Sequence, residues 1–198
     1  LDDLIQSVQK QDYPYIEHII IDDGSIDNGA TVEILNKYSH LRWWTRPNRG
    51  QYATMNEGLV SARGDIICFI CADDLMPPGV VAKVINIFPF QKNCVGIYGN
   101  YSWINSYGER LDLIQPMRVF PTSFYPYCIH IAHSSLYLRK NFLLKSELFF
   151  DDNLKFAGDY EWIIRILGTG NNIRRIKVDL SIIRSHDQQA SNVSFYQM

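Results

Sequence analysis

Two apolar runs, each stopping at a pair of carboxylates, constrain this chain more than any other feature: "IEHIIIDDGS" from residue 16 and "GDIICFICADD" from residue 64. In the second, Ile66 to Cys71 are apolar without a break, and Ala72 is followed at once by Asp73 and Asp74. A short continuous apolar run bounded by turn signals fits a strand buried on both faces. Two like charges side by side at its end repel each other unless something cationic lies between them. Helical patterns fall between the runs. Val32, Leu35 and Tyr38 share one side over 31–38, and Met55, Leu59 and Ala62 do so over 53–63. Pro77–Pro78 opens a further helix to about Phe88, because proline suits a first turn. Residues 41–46 and 94–104 read as strands, and 1–10 and 158–168 as helices, the latter ended by Gly168.

This alternation predicts an α/β fold with a mostly parallel central sheet flanked by helices. A chain of 198 residues, 46% hydrophobic, suffices for one domain with its own core. The expected division is a Rossmann-like nucleotide-binding half over 1–110 and a less regular acceptor half over 111–198. In that second half, the Tyr- and Phe-rich residues 116–137 read as loop plus strand, and the polar tail from Ile183 as loop.

Nineteen basic and twenty-one acidic residues give a net charge of −2 with no basic block, so nucleic acid is not an expected partner. The longest near-continuous apolar run falls far short of the ~20 residues that span a bilayer, so no transmembrane segment is expected. Four cysteines, Cys68, Cys71, Cys94 and Cys128, read as buried reduced thiols and suggest a cytoplasmic setting. Cys68 and Cys71 are three apart in a predicted strand and so point to opposite faces. His130 and His133 are set aside as a zinc pair for the same reason.

In open α/β sheets, ligands bind beyond the carboxyl ends of the strands. If the two runs lie in one sheet, Asp22–Asp23–Gly24–Ser25 and Asp73–Asp74 meet at one rim. Hard oxygen ligands favour Mg2+ or Mn2+, ions that complete their shells with phosphate oxygens. The expected ligand is therefore a diphosphate. Taken singly, either cluster is equally well explained as a turn with an aspartate near a helix start.

Four blocks in order, "SVQKQDYPYIEHIIIDDGSIDN", "RPNRGQYATMNEGLVSARGDIICFICADDLMPPG", "GDYEWIIRI" and "RSHDQQASN", resemble the family 2 glycosyltransferases of the GT-A fold. The resemblance implies nucleotide contacts from Asp22, Asp23 and Ser25, with Asp23 facing a uracil N–H. It adds Arg49, Gly50 and Asn56 beside the nucleotide and diphosphate, with Asp74 also on the sugar nucleotide. Asp73 is then the chief ligand to Mn2+ or Mg2+, joined by His186, and Asp159 is the catalytic base. The implied reaction is metal-dependent transfer of a sugar, UDP-linked, to a hydroxyl with inversion. The acceptor would be a glycan or lipid-linked sugar, in polysaccharide biosynthesis at the cell surface. The setting would be cytoplasmic, or peripheral at the inner face of the membrane.

Two departures stand out. Cys71 occupies the place of the first carboxylate in the metal block, and a thiol is a poor ligand for either ion. The family's opening strand, of the "VSVVIPTYN" type, does not precede the helix at 1–10, and a native chain extending before Leu1 is expected. Two other readings stay open: a nucleotide-sugar-binding module with weak or no turnover, and a sugar nucleotidyltransferase. The latter normally carries a Gly-rich basic phosphate loop, and none is seen.

Overall fold

A computed structural model describes residues 1–88, 93–116 and 130–187. Cys128, most of the aromatic stretch at 116–137 and the end of the "RSHDQQASN" block lie outside the described residues.

Helix α1 (Asp2–Gln9) carries Asp2 and Asp3 in its first turn, where the helix dipole favours anions, and buries Leu4, Ile5 and Val8. After it come β1 (Ile19–Asp22), α2 (Ala30–Asn36), β2 (Arg42–Thr45), α3 (Gln51–Ser61), β3 (Ile66–Ile67) and α4 (Val80–Ile87). The rest comprises β4 (Cys94–Ile104), β5 (Arg110–Ile114), β6 (Leu136–Arg139), α5 (Lys140–Lys145), α6 (Gly158–Gly168) and β7 (Asn172–Arg184). A 3-10 turn, His133–Ser135, enters β6.

The strands among the described residues form two sheets. Strand β1 lies parallel to β2, Ile19 opposite Arg42 and Asp22 opposite Thr45. In the larger sheet, one edge of β4 takes β6 at Gly96–Tyr98 and then β5 from Tyr101, both antiparallel. Its other edge takes β7, parallel, from Cys94 to Ile104. The second apolar run differs from its expected form. The sequence reads as a parallel strand over 64–72, but only Ile66 and Ile67 pair, and they run antiparallel to β6. On the side before Ile66 the Asp65 carbonyl still accepts the N–H of Lys140, and beyond Ile67 no further residue of the run pairs with β6.

Strands β1 and β3 do not pair with each other. Between them runs a cleft of about 1720 Å3 that Leu4, Val8, Ile20, Ile66, Cys68 and Ile70 help to line. Its volume exceeds the roughly 300–1,000 Å3 of an ordinary ligand pocket because the apolar gap continues into the polar site at its rim.

Two buried clusters support that rim. One sets Leu4 and Val8 of α1 and Val80 and Val84 of α4 against Ile97 and Leu180. Gln11, just past α1, holds the segment leading to α4: its Nε2 donates to the Pro77 carbonyl at 2.8 Å and its Oε1 accepts the Val80 N–H at 3.1 Å. The other cluster centres on Trp162, whose ring stacks on Phe150 at 4.2 Å while Phe69 meets both edge-on. Trp162 Nε1 donates to the Leu148 carbonyl at 2.8 Å, so the buried indole leaves no donor unpaired.

Candidate active site

At the end of β1 the chain turns on Asp22. Its carboxylate accepts the Ser25 N–H at 3.0 Å and the Thr45 hydroxyl at 2.7 Å. Burial raises its pKa, but these hydrogen bonds outweigh burial and hold it below the usual carboxylate range. Gly24 has φ +77, and a Cβ there would sit 2.8 Å from the Asn48 backbone nitrogen. The first turn is thus packed directly onto the 46–48 backbone. Asp23 faces the same backbone: it accepts N–H groups from Arg49 at 2.9 Å and Gly50 at 2.8 Å, and it pairs with the Arg46 guanidinium. Arg46 continues to Glu57 at 2.7 Å and to the Thr54 hydroxyl. Arg46 was read from sequence only as the end of a strand before Pro47, yet it is the cation that organises this corner. Arg49 projects with most of its side chain in solvent, 3.9 Å from Glu57. Asn56 commits its amide to Phe150, donating to the carbonyl at 2.9 Å and accepting the N–H at 2.8 Å. That exchange fixes α3 to the 150 loop and leaves Asn56 out of the ligand assignment below.

The second aspartate pair is held by β7. Leu75 and Ile182 exchange backbone hydrogen bonds at 2.8 and 3.0 Å, which docks the loop after Ala72 against the strand. Asp74 accepts the Arg184 N–H at 3.1 Å and is only 3% exposed. Burial, with the Asp73 charge adding to it, raises its carboxyl pKa to about 7. Asp73 is part-exposed and lies 2.9 Å from His186 Nε2. Ligand atoms of Cys71, Asp73 and Asp74 all fall within 4.8 Å of one another. Two adjacent carboxylates, one buried and reluctant to ionise, with an imidazole on the outer one, fit a small divalent cation: Asp73, Asp74 and His186 would hold it. Cys71 fits a hard ion poorly, and its thiol also lies 3.4 Å from His133 Nε2. Of the cysteines expected to be buried, Cys94 is, whereas Cys68 and Cys71 are part-exposed.

Asp159 stands in the first turn of α6, where the dipole stabilises a carboxylate. Gly158, just before it, has no room for a side chain: a Cβ would meet the Tyr52 ring at 2.5 Å. Tyr52 accepts the Gly158 N–H at 2.8 Å and lies 3.4 Å from Asp159 Oδ1. His133 Nδ1 lies 3.2 Å from Asp159 Oδ2. Burial raises the Asp159 pKa, yet the hydrogen bond and charge of His133 prevail and lower it. For His133 the balance is mirrored. Burial lowers its pKa, and the bonds to Asp159 and Cys71 outweigh that and raise it to about 10. Asp159 is consequently an anion near neutral pH, as a proton acceptor must be.

Asp23, Asp73, Asp74 and Asp159 line one cleft together with Tyr52 and His133. The two aspartate turns thus share a rim although their strands belong to separate sheets. His133 and Tyr52 were not singled out from sequence. Tyr52 lay inside a block read for Arg49 and Gly50, and His133 was weighed only against His130.

Residues 1–145 match the profile described as Glycosyl transferase family 2. An uncharacterized glycosyltransferase of Rickettsia typhi is 25% identical over 98% of this chain and 62% of its own length. One of Rickettsia bellii is 30% identical over 94% of this chain and 28% of its own. The chain therefore spans less than two thirds of these relatives. Among solved structures, TarS of S. aureus in complex with UDP-GlcNAc superposes with a TM-score of 0.74 at 19% identity, over 94% of this chain and 55% of that one. The mannosyltransferase PcManGT of Pyrobaculum calidifontis, in complex with GDP-Man and Mn2+, gives 0.64 at 16%, over 98% and 55%. These likenesses establish the GT-A fold, and the profile match over 145 of 198 residues establishes that the chain belongs to glycosyltransferase family 2.

Proposed function

We propose that the chain transfers a sugar from a nucleotide-sugar, UDP-linked, to an acceptor hydroxyl with inversion, and that Asp159 is its base. The observation that carries this reading is the presence, in one cleft, of an ionised carboxylate at a helix start and an adjacent carboxylate pair, Asp73 part-exposed and Asp74 buried, suited to a cation. The Asp23 turn, with Arg49 and Gly50 beside it, is assigned to the nucleotide, and Asp22 and Ser25 shape that turn. Asp73, Asp74 and His186 are assigned to Mn2+ or Mg2+. When bound, such an ion neutralises charge that develops on a departing diphosphate. Asp159 accepts the proton of the attacking hydroxyl. The acceptor class we favour is a glycan or lipid-linked sugar, in surface polysaccharide synthesis at the cytoplasmic face of the membrane. No helix among the described residues is long and apolar enough to cross a membrane. The chain acts in this reading as one domain, 1–198, and a further strand in the gap between β1 and β3 would join its two sheets into one.

The test is UDP or GDP release from UDP-GlcNAc, UDP-glucose, UDP-galactose and GDP-mannose with Mn2+, with and without an acceptor. Asp159→Asn is expected to lower kcat by about 10²–10⁴-fold, the usual contribution of a general base, with UDP affinity retained. Undiminished release by Asp159→Asn would overturn the assignment. UDP binding without any turnover would favour the binding module instead.

A further inference from the structure

We infer that His133 is a positioning residue that clamps the Asp159 carboxylate toward the cleft and ties it to the end of the Cys71–Asp74 segment. The inference rests on the transferase reading above. Both imidazole nitrogens are engaged, Nδ1 at 3.2 Å from Asp159 Oδ2 and Nε2 at 3.4 Å from Cys71 Sγ. A carboxylate only accepts, so Nδ1 carries the proton in this pair. The ring sits on a fixed mount. In the turn His133–Ser135, the N–H and hydroxyl of Ser135 both donate to the Ala132 carbonyl at 2.9 Å. The Ser181 hydroxyl donates to that of Ser134 at 2.8 Å, tying the turn to β7. Ser134 and Ser135 are fully buried.

The Asp159 carboxylate is held less firmly. Its side chain is 37% exposed against 12% for His133, and its Oδ1 meets the Tyr52 hydroxyl at a long 3.4 Å. Removing the imidazole would leave the carboxylate freer to rotate about χ1 and χ2. A misplacement of about 1 Å at a reacting group costs on the order of 10²-fold in rate. Cys71, at the place where the family resemblance implies a carboxylate, thus has a use: its thiol supports the far side of the ring that holds the base.

The experiment compares His133→Asn, whose amide N–H falls near the Nδ1 position, with His133→Gln, whose amide falls near Nε2, and with His133→Ala. On whichever of the four donors the protein turns over, His133→Asn is expected to keep kcat within about fivefold. His133→Gln and His133→Ala are expected to lose about 100-fold in kcat with donor KM little changed, the mark of an interaction that matters in the transition state. Equal kcat for the Asn and Gln variants would overturn the inference. A second readout is independent of turnover. In protein with 15N-labelled histidine, the hydrogen-bonded Nδ1 proton of His133 is expected to vanish in Asp159→Ala and to persist in Cys71→Ser. If it persists in Asp159→Ala, the clamp does not exist. If no donor is turned over, the transferase reading fails while the spectrum still decides the clamp.

Discussion

Asp74 is almost wholly buried, next to the charge of Asp73, and its carboxyl pKa is raised to about 7 against an ordinary value near 4. A folded-state pKa above the unfolded one means that the protonated form is preferred in the fold. The stability it contributes is fully present below about pH 4 and is lost as pH rises through about 7. A tenfold change in proton affinity corresponds to about 1.4 kcal/mol, so ionising Asp74 without a partner costs a few kcal/mol. A divalent cation reverses the sign by favouring the ionised form, and must displace a proton below pH 7. Thermal melts from pH 5 to 8 are therefore expected to show falling stability without metal and a Mn2+-induced gain that grows with pH. Asp74→Asn should flatten both trends. If the Asn variant keeps the pH slope, Asp74 is not its source. Asp22, Asp23, Asp73 and Asp74 are legible because they end apolar runs, where a charge has no packing role, whereas Asp159 is legible only through the family resemblance of its block. His133 was not, because it meets Cys71 and Asp159 across 62 and 26 residues of chain, and no local pattern encodes such a meeting.

Among the elements, those with their own periodicity were read to within a few residues: β4 over 94–104 and α6 over 158–168 agree at both ends. The elements not read from sequence depend on a neighbour. Strand β5 is largely exposed and exists because β4 offers it an edge, and β7 carries charges at Arg174, Arg175, Lys177 and Asp179 within its thirteen residues. Pairing with the buried β4 overrides weak strand patterning, as tertiary context does. The 64–72 run failed the other way, apolar throughout but paired only at Ile66 and Ile67. At the start of α6 a local and a tertiary demand coincide. Gly158 is needed because the Tyr52 ring, stacked on Phe150 at 5.7 Å, lies against its Cα. Gly158→Ala should force the ring or the helix start to move and destabilise by about 1–3 kcal/mol, as overpacking usually does. The same shift displaces Asp159, so kcat is expected to fall with the melting temperature. Gly168 at the helix end has open space around it, and Gly168→Ala is the control that should leave kcat unchanged. A Gly158→Ala protein with full activity would show that Tyr52 does not set the position of the base.

Across the whole molecule, the proposed ligand contacts are divided between two sheets that share no strand. The Asp23 turn follows β1 of the smaller sheet, and Asp73 and Asp74 are docked on β7 of the larger one. A nucleotide diphosphate bound with its metal would contact both, and so would tie the two sheets together. A ligand that binds only the native state stabilises it by about 2.7 kcal/mol at a hundred times its Kd. Here the gain should depend on both components at once. On the proposed assignments, UDP alone would reach the Asp23 turn but meet uncompensated carboxylates at the other side, and Mn2+ alone would touch only the larger sheet. The melting temperature with UDP and Mn2+ together is therefore expected to rise by more than the sum of the separate shifts. Asp73→Asn should abolish the excess while leaving the small UDP-only shift, and Arg46→Ala should abolish the UDP-only shift by releasing Asp23 from its corner. Additive shifts in the unaltered protein would mean that the two aspartate turns do not serve one ligand, and the division of labour across the cleft would have to be redrawn.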